Sequence, residues 1–421
     1  MVRKEKREIF QSNQSLSPLL QPEYRLYIAS RFLYIMGLRM VATIVAYKLF
    51  QLTKSSFAIG LVGLSEFIPA FSFALYAGHV IDRSDKRTLL LKGIFSYALC
   101  VLALLFITSP SAERTLSPKA MEFSIYGVIF FTGFIRSFAG PTSSAIVAQL
   151  VPRDILKYAS NISSSTWLAA SIVGHASAGF FIAWFGVHAS FYIILFYVLL
   201  SCIFISNIRK KPIAYSNTDI KAWESVKEGL RYVFRHKIML GAISLDLFAV
   251  LFGGAVALIP EFAERILKVG PIGFGWLNAA IDIGSVIMIV TMTLKPLQRK
   301  QGLILLYAVA GFGLCIIIFG LSKIYWMSFA ALLVAGMLDG ISVLVRGNIF
   351  QLTTPDEMRG RVSSVNSMFV NSSNELGQFE SGITARLFGG AAPAVLFGGC
   401  MTLLVVIIAW IKAPGLRKFE Y

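Results

Sequence analysis

Gly78-His79-Val80-Ile81-Asp82-Arg83-Ser84-Asp85-Lys86-Arg87 places two acids, three bases and a histidine in ten residues. On either side lies an apolar run of twenty, Phe57 to Tyr76 and Leu89 to Thr108. Each run has the length that a helix needs to cross about 30 Å of hydrocarbon, roughly 20 residues. Inside lipid no water satisfies the backbone, so such a run closes its own hydrogen bonds as a helix. The quoted stretch is therefore the short polar connection of a membrane hairpin.

Ten further spans follow the same pattern: Tyr24 to Leu52, Met121 to Ala148, Asn161 to Trp184 and Ser190 to Asn207 in the first half, then Ile238 to Pro260, Ile272 to Leu294, Leu303 to Leu321, Trp326 to Phe350, Val362 to Leu387 and Pro393 to Ile411 in the second. Numbered in chain order, the twelve are spans 1 to 12. Composition agrees, with 56% hydrophobic and 14% charged residues and a mean hydropathy of +0.70, values foreign to a soluble domain. Spans 3, 6, 9 and 12 are almost free of ionisable residues, whereas the other eight each carry at least one. A charged side chain at mid-bilayer costs roughly 2.5 to 3.5 kcal/mol even on the lenient insertion scale. Eight spans are thus expected to build a polar pathway and four to wall it.

The net charge of +17 is concentrated in alternate loops: Arg83, Lys86 and Arg87; Arg153 and Lys157; Arg209, Lys210 and Lys211; Lys295, Arg299 and Lys300; Arg359 and Arg361. By the positive-inside rule these loops and both termini face the cytoplasm, which argues against nucleic acid as a partner. The run Arg3, Lys4, Lys6, Arg7 adjoins no apolar core, so no cleavable signal peptide is expected. Cys100, Cys202, Cys315 and Cys400 fall one in each charge-poor span and lack metal-ligand spacing. They read as free thiols on packing or lipid-facing surfaces.

The domains follow: a cytoplasmic tail over 1–23, a six-helix bundle over 24–207, a cytoplasmic linker over 208–237, a second six-helix bundle over 238–411 and a tail over 412–421. In the linker Ile220, Trp223, Val226, Leu230 and Val233 recur at helical spacing, with Lys221, Glu224, Lys227, Glu228 and Arg231 on the other faces. That pattern predicts an amphipathic helix on the membrane surface. A weak repeat relates the halves: Gln149, Leu150 and Pro152 precede a charged turn and Asn161, as Gln351, Leu352 and Pro355 precede one and Asn366. Parallel repeats put a two-fold axis along the membrane normal, an arrangement of transporters.

The opening stretch resembles the cytoplasmic signature of the major facilitator superfamily: Gly, three residues, an acid, a base, any residue, Gly, an optional residue and two bases. Here Asp85 stands at the second Gly. The resemblance implies an all-α membrane protein with twelve transmembrane helices in two six-helix bundles. It makes Gly78, Asp82, Arg83, Lys86 and Arg87 a conformational latch, with Asp82 at the N-terminus of span 11, where the helix dipole favours an anion. Arg136 and Gly140 are similar to the superfamily's Arg-x-x-x-Gly element, associated with proton coupling. The antiporter element of span 5 is present in altered form as Ala170, Gly174, His175, Ala178 and Gly179, with His175 in place of Pro. Leu245-Asp246-Leu247-Phe248, Leu258-Ile259-Pro260, Thr354 to Val362 and Asn374-Glu375-Leu376-Gly377 resemble the branch of exporters that includes enterobactin and macrolide efflux proteins. That resemblance implies export of a siderophore-like or drug-like molecule driven by proton entry.

Eight ionisable residues sit near span centres: Arg39, Glu66, Arg136, His175, Asp246, Asp282, Asp339 and Glu375. Unpaired, they would cost on the order of 20 kcal/mol, so pairing must recover most of it. An acid whose cationic partner moves can load and release a proton, and Glu66 and Asp282 are the preferred carriers. His175 adds a group with an unperturbed pKa of about 6.5. Arg39 suits either an anionic group on the substrate or neutralisation of Glu66. On span 11, Asn371, Asn374, Glu375, Gln378 and Gly382 share one face and are expected to line the cavity; Glu380 points away and Arg386 lies near the outer mouth.

Other classes lose ground. No Gly-x-x-x-x-Gly-Lys-Ser/Thr loop is present for a nucleotide-driven pump. His79, His175, His188 and His236 are dispersed, without the clustering that a metalloenzyme needs. The expectation is a non-enzymatic, cofactor-free, monomeric transporter of the inner membrane, moving a small molecule and protons by alternating access. Transport of a lysophospholipid or other lipid, or uncoupled facilitation of a small solute, are the competing readings.

Overall fold

The computed structural model describes residues 14–212, 222–295, 299–355 and 358–420. The sequence features at Arg3, Lys4, Lys6, Arg7, Ile220, Lys221, Asp356 and Glu357, and the side chains of Trp223, Glu224, Val226 and Arg359, lie outside the described residues. Among the described residues the regular structure is entirely helical. Among the described residues, ten helices are long and apolar enough to cross a membrane. Two facts bring the spans to twelve. One of the ten runs from Arg153 to Ser206 and holds two spans, joined at Gly186, whose φ of 79° is open to glycine and breaks the helix. The helix Arg359–Leu387 is also long enough but too polar to pass.

The four charge-poor spans each turn one apolar stripe outward. Phe95, Leu99, Leu102 and Phe106 are exposed on span 3, and Tyr192, Phe196, Leu199 and Ile203 on span 6. Tyr307, Leu314, Ile318 and Leu321 do the same on span 9, as do Leu404, Ile407, Ile408 and Ile411 on span 12. Steps of three, four or seven, with Ile407 and Ile408 adjacent, keep each stripe to one side of its helix, and contiguous apolar exposure of this extent suits a lipid-facing surface. Cys315 is buried, Cys400 exposed, and Cys100 and Cys202 are intermediate; all four are free.

Contacts divide the chain into two compact units, Met1–Ile44 with Ile68–Asp219, and Val45–Phe67 with Ile220–Tyr421. The hairpin formed by the end of span 1 and the start of span 2 therefore packs with helices of the second half. In the first unit, Gly174 carries the crossing of span 5 over span 1: a Cβ there would fall 2.7 Å from the Met36 carbonyl oxygen and 2.8 Å from Arg39 Cβ. In the second, spans 8 and 10 approach still more closely. A Cβ at Gly284 or at Gly336 would come within 2.0 Å of a carbonyl oxygen, that of Leu333 or Ile281 respectively.

Span 7 is discontinuous. Its helix Lys237–Phe252 stops at Gly253 and Gly254, and the chain continues to Ile266 in short 3-10, α and π turns around Pro260. Ser381 Oγ donates to the Gly254 carbonyl at 3.1 Å, so part of the freed backbone is re-satisfied from span 11.

The linker segment forms the helix Ala222–Arg235. In its last two turns Leu230, Tyr232 and Val233 pack with Met239, Ile243, Val362 and Val365. Tyr232 Oη donates to the Thr353 carbonyl at 2.6 Å, and Glu228 pairs with Arg361. An amphipathic pattern specifies an apolar partner, and for Leu230 and Val233 that partner is protein.

Candidate functional site

The close crossing of spans 8 and 10 sets the first constellation. Asp282 lies two residues before Gly284 and Asp339 three after Gly336, so the glycine contact brings the two carboxylates into one neighbourhood. Asp339 feels the charges of Arg346, Asp246 and Asp282. Asp246 of span 7 and Arg346 of span 10 form an ion pair, with side chains 6% and 7% exposed respectively. Arg346 Nε also donates to the Ser342 carbonyl at 3.3 Å. Arg346 is the member that sequence reasoning missed. Its signal was present, because it stands seven residues, two helical turns, after Asp339 and so shares its face.

A second constellation lies in the first unit. The Arg39 guanidinium stacks 4.8 Å from the centroid of the Trp167 ring, while its Nε is buried without a hydrogen-bond partner. Thr43 Oγ1 donates to the Arg39 carbonyl at 3.0 Å and lies 2.7 Å from His175 Nδ1. Ala170 and Ala178 flank the site fully buried, so the small residues of span 5 let Arg39 and His175 approach. Nearer the start of span 1, Arg31 Nε donates to the Ser163 carbonyl at 3.1 Å, and Tyr27 Oη donates to the Ser143 carbonyl at 2.7 Å. Trp167 and Arg31 were also missed, although each stands eight residues before an expected site residue on the same helix, Trp167 before His175 and Arg31 before Arg39.

The other expected residues fall in both units. Glu66, in the second unit, is half-buried, and so are Arg136 and Gln378. Glu375 is buried at 6% exposure, whereas Asn371 and Asn374 on the same helix are exposed. A Cβ on Gly63 would fall 2.7 Å from the Glu375 carbonyl oxygen, and one on Gly60 would fall 3.0 Å from Gly382 Cα. Span 2 thus crosses span 11 through glycine. The same hairpin is fastened by ions: Lys54 pairs with Glu264, Arg265 pairs with Glu261 at 3.1 Å, and Arg265 Nη2 donates to the Lys54 carbonyl at 2.9 Å. Ser56 donates to the buried Glu261 carboxylate. None of these four ionic residues stood out in sequence, because they lie at span ends, where charge is ordinary.

In the opening stretch Lys86 and Arg87 act as helix caps. Lys86 is buried, and its Nζ donates to the Asp82 and Ser84 carbonyls at 3.3 and 3.2 Å and also to that of Ile81. Arg87 Nε donates to the Ile205 and Ile208 carbonyls at 3.2 and 3.1 Å, closing the end of span 6. Asp85 explains its own presence at the Gly position. At φ −64° it is the N-cap of span 3, with its carboxylate accepting from the Thr88 amide at 2.8 Å. Burial raises the Asp85 pKa, but the Thr88 hydrogen bonds, the Lys211 amide and the Arg87 charge outweigh it and hold the group below the usual carboxylate value. A Cβ on Gly78 would meet nothing within 4 Å, and Asp82 and Arg83 are exposed.

Buried cations and acids on apolar helices are the equipment of a solute path, and the family model for the Major Facilitator Superfamily matches residues 27–378. The chain belongs to the Major Facilitator Superfamily. Among proteins similar to this superfamily member are the enterobactin exporters EntS of Shigella flexneri and of Escherichia coli O1:K1, each 23% identical over 352 residues, covering 82% of this chain and 80% of the relative. Solved structures of like fold include a D-xylose-proton symporter, with a TM-score of 0.72 and 14% identity over 94% of this chain and 99% of that one. The nucleoside transporter NupG has a TM-score of 0.70 and 14% identity, with 94% and 98% covered. At these identities the structures speak for fold alone. The superfamily member described here is accordingly a multi-pass membrane transporter of a small molecule.

Proposed function

We propose that this superfamily member is a proton-coupled exporter of a small organic molecule, working by alternating access in an inner membrane with both termini cytoplasmic. The observation that carries the reading is the buried Asp246–Arg346 pair with Asp282 and Asp339 in electrostatic reach. Burial disfavours an ionised carboxylate and a neighbouring guanidinium restores it. Helix movement that changes the distance from Arg346 to these acids therefore changes how tightly they hold a proton. Asp282 and Asp339 carry the exchanged proton, Asp246 holds Arg346 in place, and Glu66 and Glu375 extend the acidic face at the crossing of spans 2 and 11.

Arg39 receives an anionic group of the substrate. Between the two roles open to it from sequence, the unpartnered buried Nε and the stacking on Trp167 favour this one. The hairpin latch of Lys54, Glu261, Glu264 and Arg265 holds one state of the access cycle, and the Lys86 and Arg87 caps keep helix ends rigid as the bundles rock. Export rather than import rests on the likeness to the enterobactin exporters. The test is enterobactin uptake by inverted vesicles under an imposed proton gradient. Uptake that collapses with the gradient supports coupling, and uptake indifferent to it replaces coupling with facilitated diffusion.

One observation favours the lipid reading. Spans 1, 5 and 6 border an open groove of about 920 Å³ lined by Ile28, Phe32 and Leu33 of span 1 and by Asn161, Ser165 and Thr166 at span 5. Apolar and polar walls in one groove suit an amphipathic substrate, and transport of a fluorescent lysophospholipid by the same vesicles decides between the two.

A further inference from the structure

Glu380 is an intramembrane carboxylate that the transport reading leaves without a task. It sits seven residues from the end of the helix Arg359–Leu387, off the face that carries Asn371, Asn374 and Gln378. Among the described residues it makes no ion pair; its Oε1 accepts a hydrogen bond from Thr384 Oγ1 at 2.7 Å. An acid held in the membrane without a cation is costly, and the surroundings deepen the cost. Glu380 lines a groove of about 440 Å³ between spans 7, 11 and 12, walled by Phe252, Phe379, Phe388 and Phe397. Phe397 stands edge-on to both Phe252 and Phe388, with ring centroids at 6.4 and 5.3 Å.

We propose that this groove is a binding site for a lipophilic organic cation, distinct from the Arg39 and Arg346 constellations. The chemistry selects the occupant in two ways. Aromatic faces attract a cation through their quadrupole, most strongly where water is excluded. The carboxylate supplies the counter-charge that a neutral apolar ligand or an acyl chain does not need. The volume lies within the range of about 300 to 1,000 Å³ common for small-ligand pockets. Thr384 already donates to one oxygen, which orients the carboxylate rather than neutralising it. A hydrated inorganic cation is poorly served here, because the groove gives it a single carboxylate and otherwise carbon.

The probe is tetraphenylphosphonium, titrated into the purified full-length chain in neutral detergent, with uncharged triphenylphosphine oxide as its counterpart. Wild type binds the phosphonium. Glu380→Gln, which keeps an acceptor for Thr384, weakens that binding at least tenfold while leaving binding of the oxide within twofold. Phe397→Leu, which keeps apolar volume but removes the π face, weakens phosphonium binding several-fold. The proposal is overturned if wild type does not bind the phosphonium, if Glu380→Gln binds it as wild type does, or if both probes weaken equally, since equal loss reports a distorted groove.

Discussion

Arg346 and Asp246 form an ion pair that ties span 10 to the unbroken part of span 7, with both side chains almost fully buried. Span 7 leaves helical form only beyond Asp246, at Gly253, so the pair anchors the part that remains helical. Removing one partner of a buried pair leaves an uncompensated charge and costs roughly 3 to 5 kcal/mol. Asp246→Asn and Arg346→Gln should each lower the melting temperature in detergent. The double variant should lose less than the sum by at least about 1.4 kcal/mol, as a double-mutant cycle reads it. Additive losses would mean that the two groups do not act as a pair.

Arg39 should behave in the opposite way. Its guanidinium stacks on Trp167 and makes no ion pair among the described residues, so Arg39→Gln breaks no salt bridge. It should leave the melting temperature within a few degrees of wild type yet lower transport of the proposed substrate at least tenfold. Transport and stability measured on the same preparation separate this outcome from that at Arg346, where both fall.

The crossing of spans 2 and 11 makes a steric prediction. At Gly63 a side chain meets the Glu375 carbonyl oxygen at 2.7 Å, a backbone atom that has little room to move. Gly63→Val should therefore force the hairpin off span 11 and expose Ser56, which is buried. A cysteine placed at Ser56 should react with a membrane-impermeant maleimide several times faster in the Gly63→Val background. Equal rates would show that the crossing does not close over this site.

Asp85 offers a pH test outside the membrane. Its folded pKa lies below the ordinary value of 3.8, so the cap's contribution is fully present above that value and is lost as pH falls through the folded value. Asp85→Ala should cost about 1 kcal/mol and Asp85→Gly only a few tenths, as for other N-caps. The difference in stability between wild type and Asp85→Ala should hold from pH 7 to pH 5 and shrink only below the ordinary carboxylate range. A difference that vanishes near pH 5 would contradict the assignment.

Much of this fold was legible because membrane insertion penalises the wrong residue so heavily. The charge-poor spans 3, 6, 9 and 12 and their outward stripes follow from the cost of charge in lipid, and the quoted loop marks a hairpin by contrast with its flanks. What sequence hid depends on distance in space. Asp246 and Asp339 were visible one by one, but Arg346 became the partner of Asp246 only where span 10 packs on span 7, and Asp282 joined them where Gly284 and Gly336 let spans 8 and 10 cross. Asp85 looked like a departure from a glycine turn, and it is a helix cap that needs no glycine. The Ala222–Arg235 helix showed its amphipathic face plainly, yet a pattern does not name what covers that face. Ionic residues such as Glu261 and Arg265 escaped notice because charge at a span end costs little and so carries little information.

Movement of substrate tied to movement of protons, through the acids around Arg346, is the core of the proposed mechanism. The decisive measurement encloses a pH-sensitive dye in vesicles holding the purified chain and adds enterobactin with no gradient imposed. A substrate-dependent proton flux opposite in direction to the substrate is expected, abolished in the Asp282→Asn, Asp339→Asn double variant while slow substrate exchange persists. Substrate movement in wild type without any change in internal pH would contradict the coupling.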